Sequence, residues 1–354
     1  MKKIVLILLA IIAIGCHNDK KQVGVIIPLT GTYSDVGHWM KIGIDLAIED
    51  LSSEGINIVP LYEDSQSTPS IAISAYQKLK TIHNIKHYIS TVSSVCLALK
   101  PIVQNDGLFM FVNAGHKELI DDDTLSPNIY RHALTIPQEA IFLASQIKGR
   151  EKGDKTIALL YTNNDIGVEF EKVFSSQFIE QDMRIHSMSY EENEMNLKNI
   201  VQKINDIKPD MYVIYGYTKN FAQLVKTIRE QSFDGAIYAN QGFSTPSVIA
   251  GAGVAGNNVF YSDYDIPNNA YIQDLNKRAL QKYNEVISPM SIASYNIMYM
   301  IGTSLSHIND VSDIEEFKNY LSEIKSIDIN GMNVLINSGE AYIPLTLVEN
   351  VFEE

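Results

Sequence analysis

The sequence predicts an α/β protein built as two lobes, and three observations carry that expectation. Its 354 residues, 45% of them apolar, would overfill a single core, because domains usually stop growing at roughly 200 residues. From residue 22 to residue 261, short β-rich apolar runs alternate with longer amphipathic segments, the pattern of βα units and parallel sheets. The ladder then breaks: 270–325 holds three helical patterns with no strand between them, and 332–351 returns to alternating β-type sequence. A chain of two βα ladders, then helices, then a terminal hairpin crosses between its sheets more than once. No Pro- or Gly-rich linker separates the halves, which argues against independent beads, and the similar length of the ladders hints at an old duplication.

Taken in order, the chain opens with Lys2 and Lys3 before an unbroken apolar run over 4–14 that ends in Gly15-Cys16. That run is too short for a membrane span, which needs about 20 residues of helix, but suits a secretory signal. Residues 1–15 therefore read as a signal peptide. Cys directly after a small Gly15 resembles the bacterial lipobox, with Ala13 where that box prefers Leu. The resemblance implies that Cys16 is lipidated and tethers an exported protein to a bacterial membrane, in the periplasm or at the cell surface. Cys96 is then the one thiol left, and it fits the role of a small buried residue on a helix.

Strands are expected at 23–29, 56–62, 86–92, 108–113, 156–161, 184–190, 211–215, 236–239 and 259–261. Helices are expected near 38–51, 69–83, 94–106, 137–149, 168–181, 196–207, 219–231 and 245–250, then at 270–286, 291–307 and 313–325. Their punctuation agrees: Ser67 or Thr68 offers a cap, Pro69 suits a first helical turn, and Gly55, Gly107 and Gly235 stop helices before the next strand.

The charge balance, 42 acidic against 28 basic residues and net −14, repels phosphate backbones and so speaks against nucleic acid as a partner. Catalytic signatures are missing: no G-x-S-x-G elbow, no phosphate-cradling Gly loop and no H-E-x-x-H helix occurs. His83 and His87 have metal-ligand spacing, but Asn84 and Lys86 indicate that the helix has ended, so the pair reads as surface. Asp121–Asp123 lacks the alternation and Gly of a calcium loop and reads as a solvated turn. No metal or cofactor is expected, and the chain reads as a binder rather than an enzyme, with a hydrolase using Ser93 and His116 as the rival.

Several stretches, in order, resemble one family, the type I periplasmic binding proteins that include the leucine/isoleucine/valine-binding proteins. They are VGVIIPLTGTYSDVG (23–37), GIDLAIEDLSSEG (43–55), YEDSQSTP (62–69), YISTVSS (88–94) and LFMFVNAG (108–115). The resemblance covers about 22–350. It implies two doubly wound parallel-sheet lobes joined by three crossovers, near 135, 264 and 331. One lobe would be 22–135 plus 265–331, the other 136–264 plus 332–354. It further implies a solute-binding protein that holds a small-molecule ligand between its lobes and hands it to the permease of an ABC importer. A ligand-sensing lipoprotein acting on a separate signalling partner is the alternative.

The resemblance also assigns contacts. Ser93 and Ser94 open a helix whose free amides and positive dipole end suit a carboxylate, although such serines equally often serve only as caps. Ala114 would offer its carbonyl to an ammonium, and His116 falls where amino-acid binders have Thr or Ser. Ile166, Tyr217 and Gln241 would come from the second lobe. Branched-chain binders carry an acid at the Gln241 position and commonly an aromatic at the Ile166 position, so both departures point toward an amide, a carboxylate or another small polar metabolite. Met290 and Tyr295 are lesser cleft candidates for which core packing is the expected role.

Overall fold

A computed structural model of the chain describes residues 21–120, 128–179, 183–217 and 220–352; residues 1–20, with the expected signal segment and Cys16, and Asp121–Asp123 lie outside the described residues. The first ladder runs β1 (Lys21–Ile27), α1 (Ser34–Ser53), β2 (Ile58–Asp64), α2 (Pro69–His83), β3 (His87–Thr91), α3 (Ser93–Asn105), β4 (Phe109–Asn113) and β5 (Ile129–Arg131). The second runs α4 (Ile136–Arg150), β6 (Lys155–Thr162), α5 (Asp165–Ser176), β7 (Met183–Tyr190), α6 (Leu197–Asn205), β8 (Met211–Tyr215), α7 (Asn220–Glu230), β9 (Ile237–Ala239), α8 (Pro246–Ala252) and β10 (Val259–Tyr264). Then come α9 (Ala270–Tyr283), α10 (Pro289–His307), α11 (Ile314–Glu323), β11 (Ser326–Ile329), β12 (Met332–Asn337), β13 (Glu340–Tyr342) and β14 (Leu345–Asn350).

Two sheets result. The first has eight strands in the order β11-β12-β13-β5-β4-β3-β1-β2, the second six in the order β14-β10-β9-β8-β6-β7. Within each, the five ladder strands are parallel and share one winding order, second-first-third-fourth-fifth. That order reverses direction between the first and third strands, the point where open α/β sheets leave a crevice beyond their carboxyl ends. Both crevices face the same cleft.

The second sheet shows why its strands read as continuous apolar runs. Ile157, Leu159, Met211 and Val213 pack with α4 and α5 on one face, while Ala158, Leu160, Tyr212 and Ile214 pack with α6, α7 and α8 on the other. A strand buried on both faces has no polar side to alternate with. In the first lobe α1 lies along α10, and Gly43 makes that approach possible, since a Cβ there would stand 2.0 Å from the Ser291 carbonyl oxygen. Cys96 is fully buried on α3, as expected.

Among the described residues three connections cross between the sheets, at 132–135, 265–269 and Ile343–Pro344. The last corrects the expected crossing near 331: β12 and β13 belong to the first sheet, and of 332–354 only β14 joins the second, antiparallel to β10. Met332, Val334, Ile336 and Ala341 bury in the first lobe's core. The bidentate ion pair of Arg131 with Glu340 clamps β13 to the short β5, and neither strand is long enough to show in sequence periodicity. His87 also departs from expectation. It lies in β3, 2% exposed, packed edge-on against Phe317 with ring centroids 4.4 Å apart, and burial pushes its pKa down to about 3.

Candidate ligand-binding site

Between the carboxyl ends of the two sheets lies a cavity of about 280 Å³. Its first-lobe wall comes from the segments after β1, β2, β3 and β4, its second-lobe wall from those after β6, β7, β8 and β9. Ser93, Ser94, Ala114, Ile166, Tyr217 and Gln241 all line it. His116 does not appear in the wall. Its Nδ1 accepts from the Glu118 amide at 3.3 Å, capping a short 3-10 turn, and its carbonyl accepts from Arg131 Nη1 at 2.7 Å. Of the lesser candidates, Met290 lines the cavity, while Tyr295 is 1% exposed and donates to Asp50 at 2.8 Å in the core.

The first wall is built at the β3–α3 turn. Val92 takes φ 67° and ψ 115°, a left-handed conformation that a β-branched residue adopts only when its surroundings impose it. That sharp turn brings α3 to the cleft by its N-terminus. No side chain caps the helix, so Ser93 and Ser94 are not caps, and the first amides of a 13-residue helix are left to the cavity. Nearby, Thr91 Oγ1 donates to the Asn113 carbonyl at 2.6 Å and Asn113 Nδ2 to the His132 carbonyl at 2.7 Å, tying the ends of three strands together. The Ser67 hydroxyl lines the same space, shielded from solvent and without a hydrogen-bond partner among the described residues.

The second wall starts at Asn164, whose side chain caps α5 by accepting from the Gly167 amide at 2.9 Å. Gly167 lets the helix begin this close to β6, because a Cβ there would meet the Thr162 carbonyl oxygen at 1.9 Å. Ile166 is thereby presented to the cavity. Deeper in, Gln241 is 5% exposed and rests on two acids, the buried Glu139 and the part-buried Asp263. Its backbone amide donates to Glu139 Oε1 at 2.7 Å, and its Nε2 donates to Asp263 Oδ1 at 3.3 Å. Glu139 also accepts from Ser262 Oγ at 2.6 Å and from the Tyr217 hydroxyl at 3.5 Å. Burial pushes the Glu139 carboxyl up to about 7, against which these hydrogen bonds pull; burial likewise raises Asp263 to about 6.

Sequence reading missed Glu139, Asp263, Glu192, Tyr33 and Asn164. Tyr33 lies inside the first quoted motif and Asn164 stands two residues before Ile166, so the signal was there. Glu192 sits in an acidic run that reads as a solvated turn, and Glu139 reads as an ordinary acid in a helix's first turn. The two walls touch: the Tyr33 hydroxyl donates to the Glu192 carboxylate, and Lys117 Nζ lies 3.8 Å from Glu169.

Two doubly wound lobes closing on one cavity, with helix termini and buried polar groups in its walls, define a cleft-binding protein. The family comparison agrees: the profile of the family described as Periplasmic binding protein matches residues 20–349, and the chain belongs to that family. This is a family of binding proteins rather than enzymes. Among curated proteins the chain is 20% identical over 313 residues to the Leu/Ile/Val-binding protein homolog 3 of Brucella melitensis, covering 86% of this chain and 84% of that one. Among solved structures it resembles the branched-chain amino acid transporter substrate binding protein LivJ of Streptococcus pneumoniae, solved with isoleucine (TM-score 0.83, 14% identity, 94% of this chain and 96% of that one). It also resembles a solute binding protein of an ABC transporter from Rhodopseudomonas palustris BisB5, solved with 3,4-dihydroxy benzoic acid (TM-score 0.81, 16% identity, 94% and 93% covered). Among the described residues no helix is long and apolar enough to cross a membrane, and no group of three or more side chains could hold a metal ion.

Proposed function

We propose that this protein is an extracytoplasmic solute-binding lipoprotein that captures a small polar metabolite between its lobes and delivers it to the permease of an ABC importer. The observation that carries this reading is the cavity itself, faced on one side by the uncapped N-terminus of α3 with Ser93 and Ser94 and on the other by Ile166, Tyr217 and Gln241. A free helix N-terminus favours a carboxylate or another strong acceptor. Isoleucine and 3,4-dihydroxy benzoic acid, held by the two similar structures, have a carboxylate in common, which supports an amino acid, an amide or a related carboxylate as the ligand class. The lobes are 22–135 plus 265–344 and 136–264 plus 345–354 on this reading.

A thermal-shift screen against a metabolite library tests capture, since a ligand present at 100 times its dissociation constant stabilises by roughly 2.7 kcal/mol. Absence of any shift across amino acids, amides and carboxylates would remove the reading. The anchor is tested separately: labelled palmitate should enter the wild-type chain and not Cys16→Ala, and equal labelling of both would exclude lipidation at Cys16.

A further inference from the structure

We infer that Glu192 is the cation-recognising residue of the cleft, so that the solute carries a protonated nitrogen as well as an acceptor group. This rests on the solute-binding reading and narrows it. Where the resemblance to branched-chain binders implies a carboxylate, this chain has neutral Gln241. The acids behind it, Glu139 and Asp263, do not line the cavity, and protein donors take up both: the Gln241 amide, Ser262 and Tyr217 on Glu139, Gln241 and the Tyr264 amide on Asp263. Whatever charge selection the cleft performs therefore falls to its own lining.

Among the described residues that lining contains no Lys, Arg or His and two carboxylates, Asp165 and Glu192. Asp165 is exposed in the first turn of α5. Glu192 is half-buried on the segment after β7, and its hydrogen bonds come from two residues that line the same cavity, Asn164 Nδ2 at 2.6 Å and the Tyr33 hydroxyl of the opposite lobe. Both arrive at Oε1, and no described donor takes Oε2. Neither carboxylate has a basic partner among the described residues. A negative group in a partly closed site lowers the affinity of a plain anion and raises that of a cation. The lobes therefore differ in polarity: the α3 amides and the Ser67 hydroxyl on one side suit an acceptor, and Glu192 on the other suits a donor that carries charge.

Calorimetric titration with matched molecules that differ by one ammonium tests this: leucine with 4-methylpentanoate, 4-aminobutyrate with butyrate, and 4-(aminomethyl)benzoate with 4-methylbenzoate. Wild type should bind the ammonium-bearing member of at least one couple at least tenfold more tightly. Glu192→Gln keeps an acceptor for Tyr33 and Asn164 but removes the charge, and should bring that ratio close to one while leaving the melting temperature without ligand unchanged. If wild type prefers the plain acids, or if Glu192→Gln weakens both members of a couple equally, Glu192 only holds Tyr33 and the lobes together and the inference is overturned, with solute capture intact. If neither these six compounds nor a broad metabolite library binds wild type, the capture reading itself fails.

Discussion

At the scale of single residues, the cleft is governed by what burial does to hydrogen-bonding and charged groups. Ser93 contributes one hydroxyl to a wall whose remaining donors are backbone amides. Ser93→Ala should therefore weaken the best library ligand about tenfold, in keeping with the roughly 0.5–3 kcal/mol of a lost hydrogen bond, and leave the fold intact; an unchanged dissociation constant in titration calorimetry would place the hydroxyl outside the binding interaction. Glu139 and Asp263 make stability depend on pH. A carboxyl raised from 4.5 to about 7 in the folded chain keeps a proton that the unfolded chain releases. Its contribution is complete below about pH 4.5 and is lost as pH rises through 7, and Asp263, raised from 3.8 to about 6, acts in the same direction. His132 opposes them: burial lowers it from 6.5 to about 4, so its contribution is complete above 6.5 and is lost as pH falls. Glu139→Gln should remove its share, so that the variant gains on wild type between pH 4.5 and 7.5 by on the order of 2–3 kcal/mol, read from denaturant midpoints at each pH. A difference that stays constant with pH would show that Glu139 does not titrate in this window. The same pair of acids explains the neutral residue above them. Gln241→Glu would add a third carboxylate within hydrogen-bond reach of Asp263, and like charges in a buried site disfavour one another's ionisation. Its melting temperature should fall further below wild type at pH 8 than at pH 5, and equal loss at both would leave charge crowding out of the explanation.

At the scale of elements, both walls depend on helices that begin unusually close to strands. α5 can start where it does because position 167 has no side chain. Gly167→Ala forces the first turn away from Thr162, carrying Asn164 and Ile166 with it, and should cost about 1–3 kcal/mol, the range for overpacking a fitted site, together with a loss of ligand affinity. Gly149, near the end of α4, has open space around its Cβ position. Gly149→Ala should instead stabilise by about 0.5–1 kcal/mol, because Ala surrenders less backbone freedom than Gly in a helix. Thermal denaturation of the two variants side by side checks the contrast; similar losses for both would mean that close approach to Thr162 is not what position 167 protects.

At the scale of the whole molecule, the three connections at 132–135, 265–269 and Ile343–Pro344 are the chain's only routes between sheets among the described residues, and Tyr33 and Glu192, which both line the cavity, meet across the two lobes. A ligand that touches both walls stabilises the closed arrangement by its extra contacts there. Small-angle scattering should report a smaller radius of gyration when the best library ligand saturates the protein, and an unchanged profile at saturation would count against hinge closure.

Periodicity and punctuation determined the two ladders, because strands buried on both faces and helices stopped by glycine announce themselves locally; β8 and α2 fall where the pattern placed them. The resemblance also pointed to residues that fold into one wall or the other of a single cavity, since Ser93, Ala114, Ile166, Tyr217 and Gln241 converge on it. What the tertiary structure alone decided concerns partners far apart in sequence. β5 and β13 are short strands that pair through Arg131 and Glu340, 209 residues apart, which moved the last crossing from 331 to 343–344. His116 turned to cap its own 3-10 turn instead of facing the cavity. Glu139 and Glu192 look like ordinary surface acids until folding buries one beneath Gln241 and brings the other to Tyr33 of the opposite lobe. A carboxylate's role depends on its dielectric surroundings and its neighbours, and in this chain the packing of two lobes supplies both.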